Sequence, residues 1–233
     1  MNRPARRERR GERAIARSVG RVLAVVALIA AVLAVVAWFS PLLAVRSVRV
    51  EGAAAVPAEQ IVAAAAVEDG RPLLRVDIDA AARRVAAIPK VAQARVQRSY
   101  PSTIRIVVVE RVPVAYVDSP QGPHLLDAGG VEFAIEPAPP NLPQLTVPDP
   151  GPNDPKTTAA LAVLAAVPPV LRDQIRAVTV PSLSAITFAL RDNRVLVWGD
   201  DQHSPRKVEV ALPLLAQPGQ TYDVSSPDLP TVR

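Results

Sequence analysis

The hydrophobic pattern begins with a continuous apolar run and not with a periodic one. Residues 22–39 form 18 consecutive positions without a polar side chain, and apolar character extends to residue 45. As a helix rising about 1.5 Å per residue, the run covers roughly 27 Å, close to the thickness of the bilayer's hydrocarbon core. The pattern therefore predicts a transmembrane helix over residues 22–45. A cleaved signal peptide is the alternative, but its apolar region usually spans about 7 to 15 residues, and bulky Trp38 and Phe39 stand where small cleavage-site residues are expected.

Beyond residue 45 the pattern becomes periodic. Strands are predicted over residues 45–51, 91–99 and 103–110, and helices over residues 57–67 and from a cap at Asp77 or Asp79 to about Ile88. Gly52 ends the first strand, Pro57 opens the first helix as its first residue, and Tyr100-Pro101-Ser102 forms the turn between the last two strands. The predicted order is β-α-α-β-β, with two helices on one face of a small sheet.

The second half of the chain favours hairpins with flanking helices. Strands are predicted over residues 123–127, 131–135, 142–147, 176–180, 185–190, 194–198 and 221–225. Helices are predicted over residues 157–167 and, after a cap at Ser204, from Pro205 to about Ala216. Eight prolines fall within residues 136–155. This stretch is predicted to be an ordered or semi-rigid connection whose brief strand is not central in a sheet. The fold class is predicted to be α+β, with a mixed, β-rich second domain.

Basic charge is concentrated at one end of the chain. Of 27 basic and 22 acidic residues, eight arginines and two glutamates lie in residues 1–21, which gives this segment +6 and leaves residues 22–233 at −1. Because positive charge favours the cytoplasmic side, we expect a single-pass type II protein with a cytoplasmic N-terminus and an extracytoplasmic bulk. The near-neutral remainder argues against a nucleic-acid partner.

The candidate chemistry is sparse. The chain has no cysteine, and its two histidines, His124 and His203, fall in predicted loops. Neither belongs to a metal-binding or nucleophile motif. Glu110 and Arg111 are interpreted as an ion or interface pair at a strand end, with an acid beside a cation as the catalytic alternative. We therefore predict no catalytic, cofactor or metal site and no small-molecule substrate.

Several segments carry a family resemblance. They are residues 96–104 (Val-Gln-Arg-Ser-Tyr-Pro-Ser-Thr-Ile), residues 109–115 (Val-Glu-Arg-Val-Pro-Val-Ala), residues 125–133 (Leu-Leu-Asp-Ala-Gly-Gly-Val-Glu-Phe), Leu142-Pro143-x-Leu145, and residues 222–227 (Tyr-Asp-Val-Ser-Ser-Pro). Behind the predicted anchor, this ordered set resembles the FtsQ/DivIB family of bacterial cell-division proteins, and the ending resembles actinobacterial members. Tyr100 stands where many members have Trp, and residues 217–221 lack basic residues found in some relatives.

The resemblance implies a domain scheme. Residues 1–21 would be a cytoplasmic basic tail and residues 22–45 the transmembrane helix. Residues 46–115 would form a POTRA domain, and residues 116–233 an FtsQ-type β domain. The protein would lie in the cell membrane, enriched at the division septum.

The resemblance also implies a function. The protein would be a non-enzymatic divisome assembly protein that joins FtsB/DivIC-type and FtsL-type proteins to septal peptidoglycan synthesis, with the lipid bilayer as a further partner. A membrane-anchored exported cell-wall enzyme and a POTRA protein of polypeptide transport are the alternatives. The first would need an acid/base pair or nucleophile, and the second would need tandem POTRA units and a β-barrel.

The last predicted strand is the candidate partner-binding site. It comprises Thr221, Tyr222, Asp223, Val224 and Ser225, with Tyr222 and Val224 on one face, a pattern typical of a half-buried strand. Its short length and the prolines that follow predict an edge strand, which a partner segment can extend. The resemblance implies an FtsB/DivIC-type partner, with Tyr222 adding contact area. An ordinary edge strand without a partner is the alternative.

Overall fold

The computed structural model of the protein describes residue 23, residues 25–29 and residues 43–233. The predicted cytoplasmic tail, residues 1–21, and most of the predicted transmembrane segment, residues 22–45, lie outside this part of the chain. A search of the described residues finds no helix that is both long and apolar enough to span a bilayer. The chain folds into two compact units, with the boundary between Val109 and Glu110.

The first unit has the predicted β-α-α-β-β order. Its elements are β1 (Ser47–Glu51), α1 (Ala58–Ala65), α2 (Ile78–Ala86), β2 (Val91–Ser99) and β3 (Thr103–Glu110). The three strands lie in the order β1-β3-β2, with β1 parallel to β3. Both predicted hairpin strands are confirmed to the residue.

Local contacts explain where these elements begin and end. Of the two predicted caps for α2, Asp77 is the one used, because its carboxylate accepts the Ala80 N–H at 2.9 Å. The prediction that Pro57 is the first residue of α1 is wrong, because Pro57 precedes the helix with an extended backbone. Gly52 ends β1 with φ +84°, and a Cβ there would lie 2.2 Å from the Val108 carbonyl oxygen. A glycine is therefore required where the chain leaves the sheet.

The second unit contains the remaining elements. Its strands are β4 (Ala115–Ser119), β5 (Gly122–Leu126), β6 (Glu132–Ile135), β7 (Gln144–Thr146), β8 (Ile175–Thr179), β9 (Ile186–Leu190), β10 (Val195–Gly199), β11 (Thr221–Asp223) and β12 (Thr231–Val232). Its helices are α3 (Pro155–Ala166), α4 (Pro169–Arg172) and α5 (Ser204–Leu214). The strands form one sheet in the order β12-β11-β10-β9-β8-β7-β4-β5-β6. The β4, α4 and β12 segments were not predicted.

The expectation for the proline-rich stretch is wrong in one respect. Strand β7 is central, since it pairs in parallel with β8 on one side and β4 on the other. Prolines are excluded from central strands because they lack a backbone donor, but Pro143 and Pro148 lie outside the three residues of β7. A strand this short fits between prolines that would interrupt a longer one.

A separate hydrophobic core lies in each unit. In the second unit the core is formed by residues of α3, α5 and the sheet, including Leu164, Phe188, Trp198, Ala211 and Tyr222. The predicted cap Ser204 is instead the first residue of α5, while His203, with φ +53°, stands before it. Tyr222 of β11 and Ala211 of α5 belong to the same core, which positions the candidate site.

Candidate partner-binding edge

The predicted binding segment is found as β11 followed by Val224 and Ser225. Tyr222 and Val224 are fully buried, at 0% exposure, whereas Thr221 and Asp223 are half-buried and Ser225 is exposed. The predicted half-buried pattern is therefore confirmed, although the strand itself ends at Asp223.

The prediction that this strand is at the sheet edge is wrong. β11 pairs in parallel with β10 and, on its other side, antiparallel with β12, where Tyr222 lies opposite Val232. The strand β12 has two residues and follows Pro227 and Pro230. A segment this short has no hydrophobic period, so the sequence pattern could not reveal it.

Backbone hydrogen bonds attach this segment to β11. The Thr221 N–H donates to the Arg233 carbonyl oxygen at 2.9 Å, and the Arg233 N–H donates to the Thr221 carbonyl oxygen at 2.9 Å. The Gln220 N–H also donates to the Arg233 oxygen, at 2.7 Å. The backbone of Thr221 therefore faces the outer side of the sheet, where an added strand would lie.

Tyr222 is a core residue of the second unit, and its side chain is fully buried. Its hydroxyl lies 2.7 Å from the carbonyl oxygen of Gln217 and 3.0 Å from that of Gly219, to which it can donate. Arg194 Nη1 donates to the same hydroxyl at 3.2 Å, and its Cζ lies 5.3 Å from the ring centre. These contacts fix the side chain inside the unit.

A small recess beside Tyr222 receives the side chain of Val232. A Cβ added at Gly219 would lie 2.3 Å from Val232 Cγ1 and 3.3 Å from the Arg233 carbonyl oxygen. Val232 is half-buried and packs against the core of the second unit. We call this recess the Gly219 slot.

A partly buried ion pair lies at the other end of the neighbouring strand β10. Lys207 Nζ, on α5, donates to the Asp200 carboxylate at 2.6 Å and to the Asp200 carbonyl oxygen at 3.0 Å. The hydrogen bond from Lys207 lowers the pKa of the Asp200 carboxyl below its ordinary value, against the opposing effect of burial. The pair anchors α5 to the end of β10.

His124 and Arg111 make structural contacts. His124 lies in β5 and not in a loop, with Nε2 2.9 Å from Ser119 Oγ and Nδ1 2.8 Å from Glu132 Oε2. Arg111 forms an ion pair with Asp127. Within residues 43–233 and the few described residues before them, no three His, Asp or Glu side chains converge as a metal site would require.

A groove in the second unit is apolar. Its lining comprises Val112, Pro113, Val114, Ala128, Asn141, Leu142, Pro143, Leu161, Leu164, Ala165 and Arg172. Asn141 and Arg172 are the polar members of this lining. A catalytic groove needs a nucleophile or an acid/base pair, and this lining supplies neither.

Comparison with known families defines the class of each unit. A family described as "POTRA domain, FtsQ-type" matches residues 43–111. One described as "Cell division protein FtsQ/DivIB, C-terminal" matches residues 115–229. The chain therefore carries a POTRA domain followed by a β-rich domain.

Individual relatives support the same assignment. The cell division protein FtsQ of Mycolicibacterium smegmatis is 52% identical over 210 residues, covering 90% of this chain and 63% of that protein. FtsQ of Mycobacterium tuberculosis is 47% identical, covering 96% and 70%. FtsQ of Corynebacterium glutamicum is 30% identical, covering 95% and 99%. The chain belongs to the FtsQ/DivIB family of cell division proteins, and it spans under two thirds of the M. smegmatis relative's length.

Proposed function

We propose that this protein is a non-enzymatic assembly protein of the bacterial division machinery. It joins FtsB/DivIC-type and FtsL-type single-pass proteins and links them to septal peptidoglycan synthesis. The family membership supports the division role. The observation that supports binding is the end of the large sheet, where the half-buried strand β11 has a two-residue strand on its outer side.

The proposal includes a membrane location and a domain scheme. Residues 1–21 are cytoplasmic, residues 22–45 cross the cell membrane, and residues 46–115 and 116–233 form the two extracytoplasmic domains at the septum. The apolar run of residues 22–39 and the eight arginines before it support this topology.

The partner segment pairs with residues 221–225 by strand addition. Thr221 offers both its N–H and its carbonyl oxygen on the outer side of β11, as their present bonds to Arg233 show. Main-chain hydrogen bonds would supply most of the affinity, at about 0.5 to 1.5 kcal/mol each. Tyr222 and Val224 face the core. Selectivity for the partner therefore depends on which partner side chains fit beside β11 and not on these two side chains.

Depletion of the protein tests the division role. We expect depleted cells to elongate or chain without completing septa, scored by microscopy with a membrane dye. Normal septation combined with loss of a hydrolytic activity on the cell wall would instead favour the enzyme alternative. Normal septation with defective polypeptide export would favour the transport alternative.

A reporter that fluoresces only in the cytoplasm tests the topology. We expect fluorescence from a fusion at the N-terminus and none from a fusion at the C-terminus, because moving eight arginines outward opposes the charge bias. A fluorescent C-terminal fusion, with matched expression on an immunoblot, would contradict the assignment.

Proline substitution tests the binding strand. We expect Thr221→Pro, in the full chain in detergent, to weaken binding of the FtsB/DivIC-type protein of the same bacterium by at least about tenfold, because it removes a backbone donor on the outer side of β11. Leu183→Pro is the control, because Leu183 is exposed and is the first central residue of a turn closed by the Ala185 N–H and the Ser182 carbonyl oxygen, a position that accepts proline. Unchanged affinity of a Thr221→Pro variant with native circular dichroism would place the binding strand elsewhere.

A further inference from the structure

The partner's place beside β11 is already occupied by the chain itself. We infer that residues 231–233, which we call the tail segment, act as a built-in competitor that a partner strand must displace before it can pair with β11. This inference rests on the proposed function, and it adds both a regulatory step and a requirement on the chemistry of the partner strand.

The tail segment uses the same backbone groups that strand addition requires. Thr221 and Arg233 exchange both of their N–H···O bonds at 2.9 Å, as directly opposed residues of an antiparallel ladder do. Each backbone N–H and carbonyl of Thr221 that points outward is therefore already bonded. A partner strand cannot form these bonds while the tail segment keeps them.

The Gly219 slot determines which partner side chain can lie opposite Tyr222. Val232 lies opposite Tyr222 and points toward the same side of the sheet, where it packs against the core. Its Cγ1 occupies the space that a Cβ at Gly219 would fill. The replacing strand is therefore antiparallel to β11 and carries a β-branched apolar side chain opposite Tyr222.

The tail segment is short enough to open. Thr231 and Arg233 are exposed, and Val232 is half-buried. Edge segments held by few backbone bonds open locally at a small fraction of the free energy of global unfolding. The fraction of molecules with an open edge then sets the apparent affinity for the partner, so that an edge open one tenth of the time weakens binding about tenfold.

A reversible disulfide between β11 and the tail segment tests the competition, because the same variant can be measured in its oxidised and its reduced form. The sequence has no cysteine, so Thr221→Cys combined with Arg233→Cys introduces a single pair of thiols. Opposed residues of this kind have Cα atoms about 5.5 Å apart, within the range that a disulfide spans. We expect oxidation to abolish binding of the double-cysteine full chain to the FtsB/DivIC-type protein, and reduction to restore it to the level of the Thr221→Cys single variant. The two single-cysteine variants, treated with the same oxidant, control for other effects of oxidation.

Deletion of the tail segment provides a second measurement that does not depend on the disulfide. We expect the chain without residues 231–233 to bind the same partner roughly tenfold or more tightly. Leu229→Ala is the control, because Leu229 is 79% exposed and lies outside the ladder. Adding Gly219→Ala to the shortened chain should then weaken binding again, since the new Cβ fills the slot.

The outcomes separate this inference from the proposed function. If neither the shortened chain nor the reduced double-cysteine chain binds the partner, the proposed function fails and the inference falls with it. If the partner binds but its affinity changes neither on disulfide formation nor on deletion of the tail segment, the inference is overturned and the proposed function stands. Weaker binding after deletion, or tighter binding after disulfide formation, would show that the tail segment belongs to the docking surface, which also overturns the competition.

Discussion

Lys207 is a charged side chain that the fold removes almost completely from water. Its exposure is 1%, and its Nζ lies 6.0 Å from the centre of the Trp198 ring. A buried ammonium is tolerated when hydrogen bonds and an opposite charge compensate its lost hydration. Asp200 supplies both through its carboxylate and its carbonyl oxygen. The carboxylate is about half exposed, so solvent screens part of the attraction.

Substitution of Asp200 should change how stability depends on pH. The folded protein has a lowered pKa at this carboxyl, whose ordinary value is 3.8, so the unfolded chain takes up the proton first as the pH falls. The stabilising contribution is therefore present above about pH 4 and is lost as the pH falls through the folded value. We expect Asp200→Asn to lower the free energy of unfolding by roughly 1 to 2 kcal/mol at pH 7.

Urea denaturation at pH 7 and below pH 4 measures this effect. The difference between the parent and Asp200→Asn should shrink at the lower pH. Asp201→Asn is the matched control, since this neighbouring carboxylate is exposed and accepts a hydrogen bond from Gln202 Nε2. An equal loss in both variants, or a difference that persists in acid, would contradict the role assigned to the pair.

Strand length decides how sharply the sequence predicts the ends and the pairing of a strand. The nine-residue β2 and the eight-residue β3 contain enough positions for alternation to mark both ends, and both were predicted to the residue. The three-residue β7 and the two-residue β12 contain less than two full periods. Their pairing is decided by neighbours distant in the chain, which single-sequence patterns do not encode.

The candidate site shows the same limit. Alternation at residues 221–225 correctly placed Tyr222 and Val224 on one face, and the structure shows that this face is the buried one. It could not show that β12 would cover the outer side of β11, because that pairing depends on how the chain turns beyond Pro227. The burial of a strand was therefore predictable and its position in the sheet was not.

The role of Tyr222 within β11 can be tested by removing its hydroxyl. We expect Tyr222→Phe to reduce the free energy of unfolding by about 1 to 2 kcal/mol, because Arg194 loses an acceptor and a nearby carbonyl loses a donor. Partner affinity should stay within about twofold, because the Tyr222 side chain is fully buried in the core of the second unit.

Tyr116→Phe makes the same chemical change in half-buried β4 and serves as the control. Thermal unfolding gives the stability, and surface plasmon resonance against the FtsB/DivIC-type protein gives the affinity. A marked affinity loss in a Tyr222→Phe variant with native circular dichroism would show that this hydroxyl contributes to the interface after all.

At the scale of the whole molecule, each unit has its own core. Ile106 is fully buried among the residues of the first core, and Leu171 among those of the second. Truncating a buried Ile or Leu to Ala costs about 2 to 5 kcal/mol, through lost apolar contact and a residual cavity. Each substitution should therefore act first on the sheet that its own core supports.

Hydrogen exchange followed by mass spectrometry checks this expectation. Ile106→Ala should speed amide exchange in β1 to β3, and Leu171→Ala should speed it in β8 to β10. Val109→Ala and Val170→Ala, at exposed positions of the same two units, are the controls. Equal loss of protection in both sheets after either core substitution would contradict separate cores.

Under the competition inferred above, the strand β12 gives the binding edge a concentration threshold. A competitor joined to its target by a few residues is present at an effective concentration near the millimolar range, whatever the abundance of the protein. Raising expression of this chain does not dilute that competitor, whereas confining a partner to the same membrane patch raises the partner's local concentration. Under this arrangement, a partner scattered along the cell envelope leaves the edge closed, and one gathered at a single site opens it. The two residues of β12 would thereby make assembly respond to where the partner is and less to how much of it the cell contains.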